Sequence, residues 1–185
     1  MRLILFLCVL LFAPFSFAEE TRQIGNLVLD GVPEIPESVF DRLNQYQNTR
    51  SASLQDWNPS GGGMLILTRF GNTNQVHSVS EPGGHRKQIT FLEEPVSRAL
   101  YSRDTSRRGF LYSSDLGGGE FFQFYWFDTD SGRATLLTDG GKSVNRNPVW
   151  STNGKLLAFS STKRNGKDFD LYVLSNVDPK TTRMI

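Results

Sequence analysis

Three stretches of this chain follow one plan, and a plan that recurs at a fixed period constrains the fold more than any single motif does. They are "LQDWNPSGGGMLILTRFGNTNQVHSVSEPGGHRKQIT" (54–90), "RALYSRDTSRRGFLYSSDLGGGEFFQFYWFDTDSGRATLLT" (98–138) and "NPVWSTNGKLLAFSSTKRNGKDFDLYVLSNVDPKTTRMI" (147–185). Each has an aromatic anchor, Trp57, Tyr101 and Trp150, spaced by 44 and then 49 residues. A polar turn follows each anchor, and then an apolar run: Met64–Thr68, Phe110–Ser113 and Leu156–Ser160. After a glycine-containing turn come Gln75–Ser80, Phe121–Asp128 and Asp170–Ser175. A last turn leads to Gln88–Thr90, Ala134–Thr138 and Arg183 onward. Short apolar runs broken every few positions by Gly, Asn, Asp and Ser predict strands.

Four short antiparallel strands in about 40–50 residues make the blade of a β-propeller. A blade cannot bury both faces alone, so blades come in rings of about 4–8. The predicted fold is all-β: a partial propeller of three four-stranded blades over residues 51–185, after a signal peptide and one short helix. The chain stops at Ile185, within the expected fourth strand of the third blade, which suggests a fragment of a longer protein.

The first residues follow a different logic. "MRLILFLCVLLFAPFSFAEE" has Arg2, an apolar run from Leu3 to Phe12, and small residues at Ser16 and Ala18 before two acids. This is the layout of a secretory signal peptide over 1–18, and the run is short for a bilayer span. Cleavage after Ala18 removes Cys8, the only cysteine, so the exported chain has no disulfide and depends on packing. It also removes Arg2, taking the formal charge from +1 to zero. A neutral chain offers no electrostatic case for nucleic acid, or for a membrane once the signal is cleaved. The expected location is periplasmic or secreted.

Residues 19–50 form a lead-in. "NLVLDGVPEIP" predicts a strand and a Pro-rich turn. "SVFDRLNQYQN" places Val39, Phe40, Leu43 and Tyr46 on one helical face, with Ser38 as N-cap and Asp41 three residues on. That helix is expected to cover an exposed edge of the core.

"PVWSTNGKLLAFSSTKRNGKDFDLYVL" (148–174) resembles the propeller repeat shared by the periplasmic protein TolB and the prolyl oligopeptidase family of serine peptidases. That repeat reads roughly Pro-x-Trp-Ser-Pro-Asp-Gly-Lys, an apolar strand, Ser-x-Arg-x-Gly, then Leu-Tyr. Thr152-Asn153 replaces its Pro-Asp. Trp57-Asn58-Pro59-Ser60-Gly61 matches more loosely, and the second blade is degenerate, with Tyr101 for Trp and no matching turn. The stretch from "YQNTRSASLQDW" to "ITFLEEPV" (46–96) looks most like the start of secreted bacterial peptidases of that family. The resemblance implies that the propeller accompanies an α/β-hydrolase domain carrying the catalytic Ser, Asp and His, here downstream of residue 185. It implies peptide substrates, gated or oriented by a propeller that is itself non-catalytic. The alternative is a TolB-like periplasmic protein-binding propeller with no enzyme domain.

No catalytic, cofactor-binding or metal-binding residue is assigned within the chain. "GKSVN" (141–145) is the nearest approach to a nucleophile elbow, but Asn145 replaces the second Gly. Both histidines precede Ser143, whereas in an α/β-hydrolase the His follows. Ser143 is therefore expected in an inter-blade loop. His77 aligns with Tyr125 and Tyr172, where a flat amphipathic ring packs, and His85 lies in a solvated Gly-rich hairpin. "DTDSG" (128–132) echoes a calcium loop but lacks its distal Glu, so it is expected as a tight turn. "SGGGM" (60–64) and "DLGGGE" (115–120) are hairpin turns that lead into no helix and so should cradle no phosphate. "TSRRG" (105–109) is a basic pair in a turn, too small for a nucleic-acid patch.

Overall fold

The structure, a computed structural model, describes residues 21–47, 50–115 and 117–185. The expected signal peptide lies outside them. Strands β1 (Arg22–Ile24) and β2 (Leu27–Leu29) form a small hairpin ahead of helix α1 (Glu37–Gln47). Three four-stranded antiparallel sheets follow, each in chain order. Blade 1 is β3 (Ala52–Trp57), β4 (Met64–Thr68), β5 (Gln75–Val79) and β6 (Lys87–Gln88). Blade 2 is β7 (Val96–Tyr101), β8 (Gly109–Ser114), β9 (Gln123–Asp128) and β10 (Arg133–Leu136). Blade 3 is β11 (Asn145–Trp150), β12 (Leu156–Ser161), β13 (Asp170–Ser175) and β14 (Asp178–Met184). The aromatic anchors Trp57, Tyr101 and Trp150 each close the first strand of a blade.

Blade 2 shows why the sequence takes this form. Every residue of β8 is buried, because each face of the sheet meets another blade. Side chains alternate along a strand, so successive residues serve opposite interfaces. Phe110 and Tyr112 face blade 1, where they join Leu65, Leu67 and Val76. Leu111, Phe124 and Trp126 face blade 3, where they join Leu157, Phe159, Tyr172 and Leu174. The aromatics pair across the strands: Phe110 stacks on Phe127 and Tyr112 on Tyr125, each at 5.0 Å between centroids, and each pair shares one rung of the β8–β9 ladder. Phe124 meets Phe159 edge-on at 5.6 Å across the blade 2–3 junction. Burying one such ring stabilises the fold by about 1.5–3 kcal/mol.

The free inner edge of β7 is capped from blade 1. The Ala99 N–H donates to Gln55 Oε1 (3.2 Å) and the Tyr101 N–H to Asp56 Oδ2 (3.0 Å). Asp56 also accepts from Arg103 at 3.1 Å. Side chains of one blade thus satisfy edge groups that would otherwise invite another strand.

Two local expectations need correction. The helix begins at Glu37, and the Val39 N–H donates to the Pro36 carbonyl at 2.9 Å, so Pro36 takes the cap place and Ser38 lies in the first turn. The apolar face of α1 exists, but none of its residues is buried, so it does not cover the core. Residues 151–155 connect β11 to β12 as a β-turn, with the Gly154 N–H on the Ser151 carbonyl (2.8 Å). Asn153 Oδ1 braces this turn by accepting from Ser151 Oγ and the Lys155 N–H.

Candidate functional site

The side chains with catalytic or ligating chemistry are largely engaged in structure. Ser143 is buried in the loop between blades 2 and 3, its hydroxyl donates to Asp139, and Asn145 Nδ2 donates to it at 3.2 Å. No histidine is among its partners. His77 is fully buried on β5, opposite Ile66, as Tyr125 stands opposite Tyr112 and Tyr172 opposite Phe159. Its Nδ1 bonds the Gln75 carbonyl at 3.0 Å and its ring packs on Phe70 at 5.3 Å. Burial lowers its pKa, which keeps it a neutral packing ring. His85 is exposed.

Asp128 Oδ1 accepts from the Ser131 N–H (2.7 Å), the Ser131 hydroxyl (2.8 Å) and the Asp130 N–H (3.1 Å). These bonds, the Ser131 N–H foremost, hold its carboxyl below the usual range, and the "DTDSG" turn closes on itself. Among the described residues no group of three His, Cys, Asp or Glu side chains is placed to hold a metal.

What the sequence reasoning missed is a buried polar clamp that recurs between blades. Gln123 opens β9 and is 2% exposed. Its Oε1 accepts from Thr138 Oγ1 (2.6 Å), the Gly140 N–H (3.0 Å) and Asn145 Nδ2 (3.3 Å). Its Nε2 donates to the carbonyls of Ser143 (2.9 Å), Gly141 and Phe121 (both 3.2 Å). Gln75 opens β5 in the same way, accepting from Thr90 Oγ1 (2.8 Å) and the Leu92 N–H (3.0 Å) and donating to the Leu92 carbonyl (3.0 Å). In both blades the Gln precedes the Thr by 15 residues, which is the signal a search could have used. Asp170 opens β13 in the third blade and is held instead by Arg164, at 2.7 Å. Each clamp fixes the loop that carries the chain to the next blade.

The junction of blades 1 and 2 has a cleft at each end of the sheets. Where β7 begins, a cavity of about 300 Å³ is lined by Leu92, Glu93, Glu94, Tyr112, Asp115 and Tyr125. The carboxylates are partly used: Glu94 accepts from the Gly117 N–H and Asp115 from the Glu120 N–H. Burial, with Tyr125 alongside, pushes the Tyr112 phenol up to about 12, and burial raises Tyr125 as well. A folded-state pKa above the unfolded value near 10 means that only the unfolded chain loses the proton between about pH 10 and 12. Tyr112 should therefore contribute full stability below pH 10 and lose about 2–3 kcal/mol as pH rises through 12. Urea unfolding from pH 8 to 12 should show this fall, and Tyr112→Phe should flatten it; an equal fall in the variant would refute the assignment.

No protein-family model and no curated protein matches the chain. Solved structures do match in fold. A putative TolB from Agrobacterium tumefaciens superposes with a TM-score of 0.58 at 16% identity, over 72% of this chain and 48% of that one. TolB from Acinetobacter baumannii gives 0.55 at 20% identity, over 73% and 32%. Dipeptidyl peptidase 4 from Porphyromonas gingivalis gives 0.60 at 18% identity, over 75% and 19%. The chain thus spans less than half the length of each of these proteins. Its three four-stranded sheets, packed face to face and joined by the Gln–Thr clamps, have the fold of TolB-like β-propeller blades.

Proposed function

We propose that the chain is the non-catalytic propeller portion of an exported serine peptidase, which gates or orients peptides for a hydrolase domain downstream of residue 185. The observation that carries this is the engagement of Ser143, His77 and Asp128 in packing and turns, within a blade arrangement similar to part of a dipeptidyl peptidase. Propeller blades surround a central channel, and in this reading that channel admits peptides to the hydrolase domain. The signal-like residues 1–18 support export to the periplasm or beyond.

The likeness to two TolB chains favours a second reading, a periplasmic propeller that works through protein contacts with no enzyme attached. Peptidyl p-nitroanilide assays and a fluorophosphonate probe separate the two. Residues 19–185 alone should neither turn over substrate nor take the label, and the full-length gene product should do both. Labelling of the isolated chain, or none of the full-length protein, would overturn the peptidase reading.

A further inference from the structure

The second cleft between blades 1 and 2 opens where β7 ends and β8 begins, with a volume of about 700 Å³. Its floor and walls come from both blades: the β3–β4 turn and the β6 edge of blade 1, the β7–β8 loop and the β9–β10 turn of blade 2. Its charges are of one sign. Lys87, Arg107 and Arg108 line it, and no Asp or Glu does. Arg107 is the distinctive member, because its Nη1 is buried and has no hydrogen-bond partner among the described residues. A buried guanidinium N–H without an acceptor is a standing cost, and an anion in the cleft would relieve it once the side chain turns that N–H toward it. Asp104, three residues back, does not bond this Nη1; its Oδ1 accepts from the Ser106 hydroxyl (2.6 Å) and N–H (3.1 Å). Arg108 pairs with Asp130 at 3.1 Å at an exposed position, where such a pair exchanges readily.

We propose that this cleft is a binding site for an organic oxyanion, gripped by Arg107 with Lys87 at the mouth. Arginine presents parallel N–H donors that match a carboxylate or a phosphate group. The volume lies in the range of small-molecule sites and exceeds what a bare inorganic ion fills. Ile89, Tyr101 and Phe127 line the cleft as apolar residues suited to the body of the ligand, and Ser60, Ser78 and Thr105 line it as hydroxyl-bearing residues. The "TSRRG" pair, too small for nucleic acid, suits a single anionic group. This site is independent of the proposed peptidase role, since it needs no second domain.

Isothermal titration of the chain with phenyl phosphate, 3-phenylpropionate and the neutral 3-phenylpropanamide tests it. Saturable binding is expected for at least one anion and not for the amide. The stronger anion identifies the head group as a phosphate ester or a carboxylate. Arg107→Ala should weaken that binding about tenfold or more, with Arg107→Lys between the two because lysine lacks the fork. Lys87→Glu, at an exposed position, should weaken it about fivefold by reversing a charge at the mouth, which keeps the test open if Arg107→Ala does not fold. Absence of saturable binding by either anion at about 10 mM, or affinity unchanged in the folded Arg107 and Lys87 variants, would overturn the proposal.

Discussion

Gly154→Ala should lower the unfolding free energy by about 3 kcal/mol or more, while Gly61→Ala should cost only about 1–2 kcal/mol. The two glycines hold the same place in their turns, four residues after Trp150 and Trp57 respectively. Each N–H bonds the carbonyl three residues back, Ser151 at 2.8 Å and Asn58 at 3.0 Å. Both are left-handed, with φ of 70° and 81°, so alanine meets the same backbone penalty at each. They differ in their neighbours. A methyl group on Gly61 meets nothing within 4 Å. On Gly154 it would stand 1.9 Å from the Asp104 N and 2.5 Å from the Arg103 carbonyl carbon, in the β7–β8 loop of blade 2. Backbone cannot rotate aside as a side chain does, so blades 2 and 3 must separate there or the turn must reshape. The difference between the variants in urea unfolding therefore measures the blade contact with the turn conformation held common. Equal losses at the two positions would show that blades 2 and 3 do not meet at this point.

This pair also shows how far the sequence could be read. The turn after Trp150 was legible because Asn and Gly carry local conformational signals. That Gly154 is buried against Asp104 was not, because a contact between blades has no periodicity within either. The strands were legible for the same local reason: β4 and β13 keep the expected limits, Met64–Thr68 and Asp170–Ser175. Helix α1 was found through its apolar face, yet that this face stays exposed lies beyond any local pattern. The anchors show the limit again. Trp150 meets Trp126 edge-on at 6.2 Å, whereas Trp57, aligned with it, is 60% exposed because no described blade lies on that side. The Arg107 cleft was partly visible as a basic turn. Its partner wall, Lys87 to Ile89, comes from another blade and could be added only by the fold.

Gln123→Leu should be the most damaging polar substitution, costing about 3–5 kcal/mol and lowering Tm by about 10 °C. Leucine is comparable to glutamine in size, though shorter and branched one carbon earlier, so most of the loss falls on hydrogen bonds rather than on volume. Six protein partners surround the amide at 2.6–3.3 Å, and the site is 2% exposed. Most of those partners are backbone groups or buried side chains with few substitutes. Thr138 Oγ1 would keep its bond from the Phe124 N–H (3.1 Å) but lose its acceptor, and the Gly140 N–H would be left without one. Ser143 and Asn145 are buried, so their groups left without a partner cost more than the net worth of the bonds they made, whereas the exposed Gly140 and Gly141 can turn to water. The damage should extend beyond the site, because the clamp sets the path from β10 to β11 and so the seating of blade 3 on blade 2. Hydrogen exchange is the discriminating measurement. Loss of protection confined to residues 138–145 would mean that the clamp only tidies a loop, whereas loss spreading into β12 and β13 would show that it holds the blades in register.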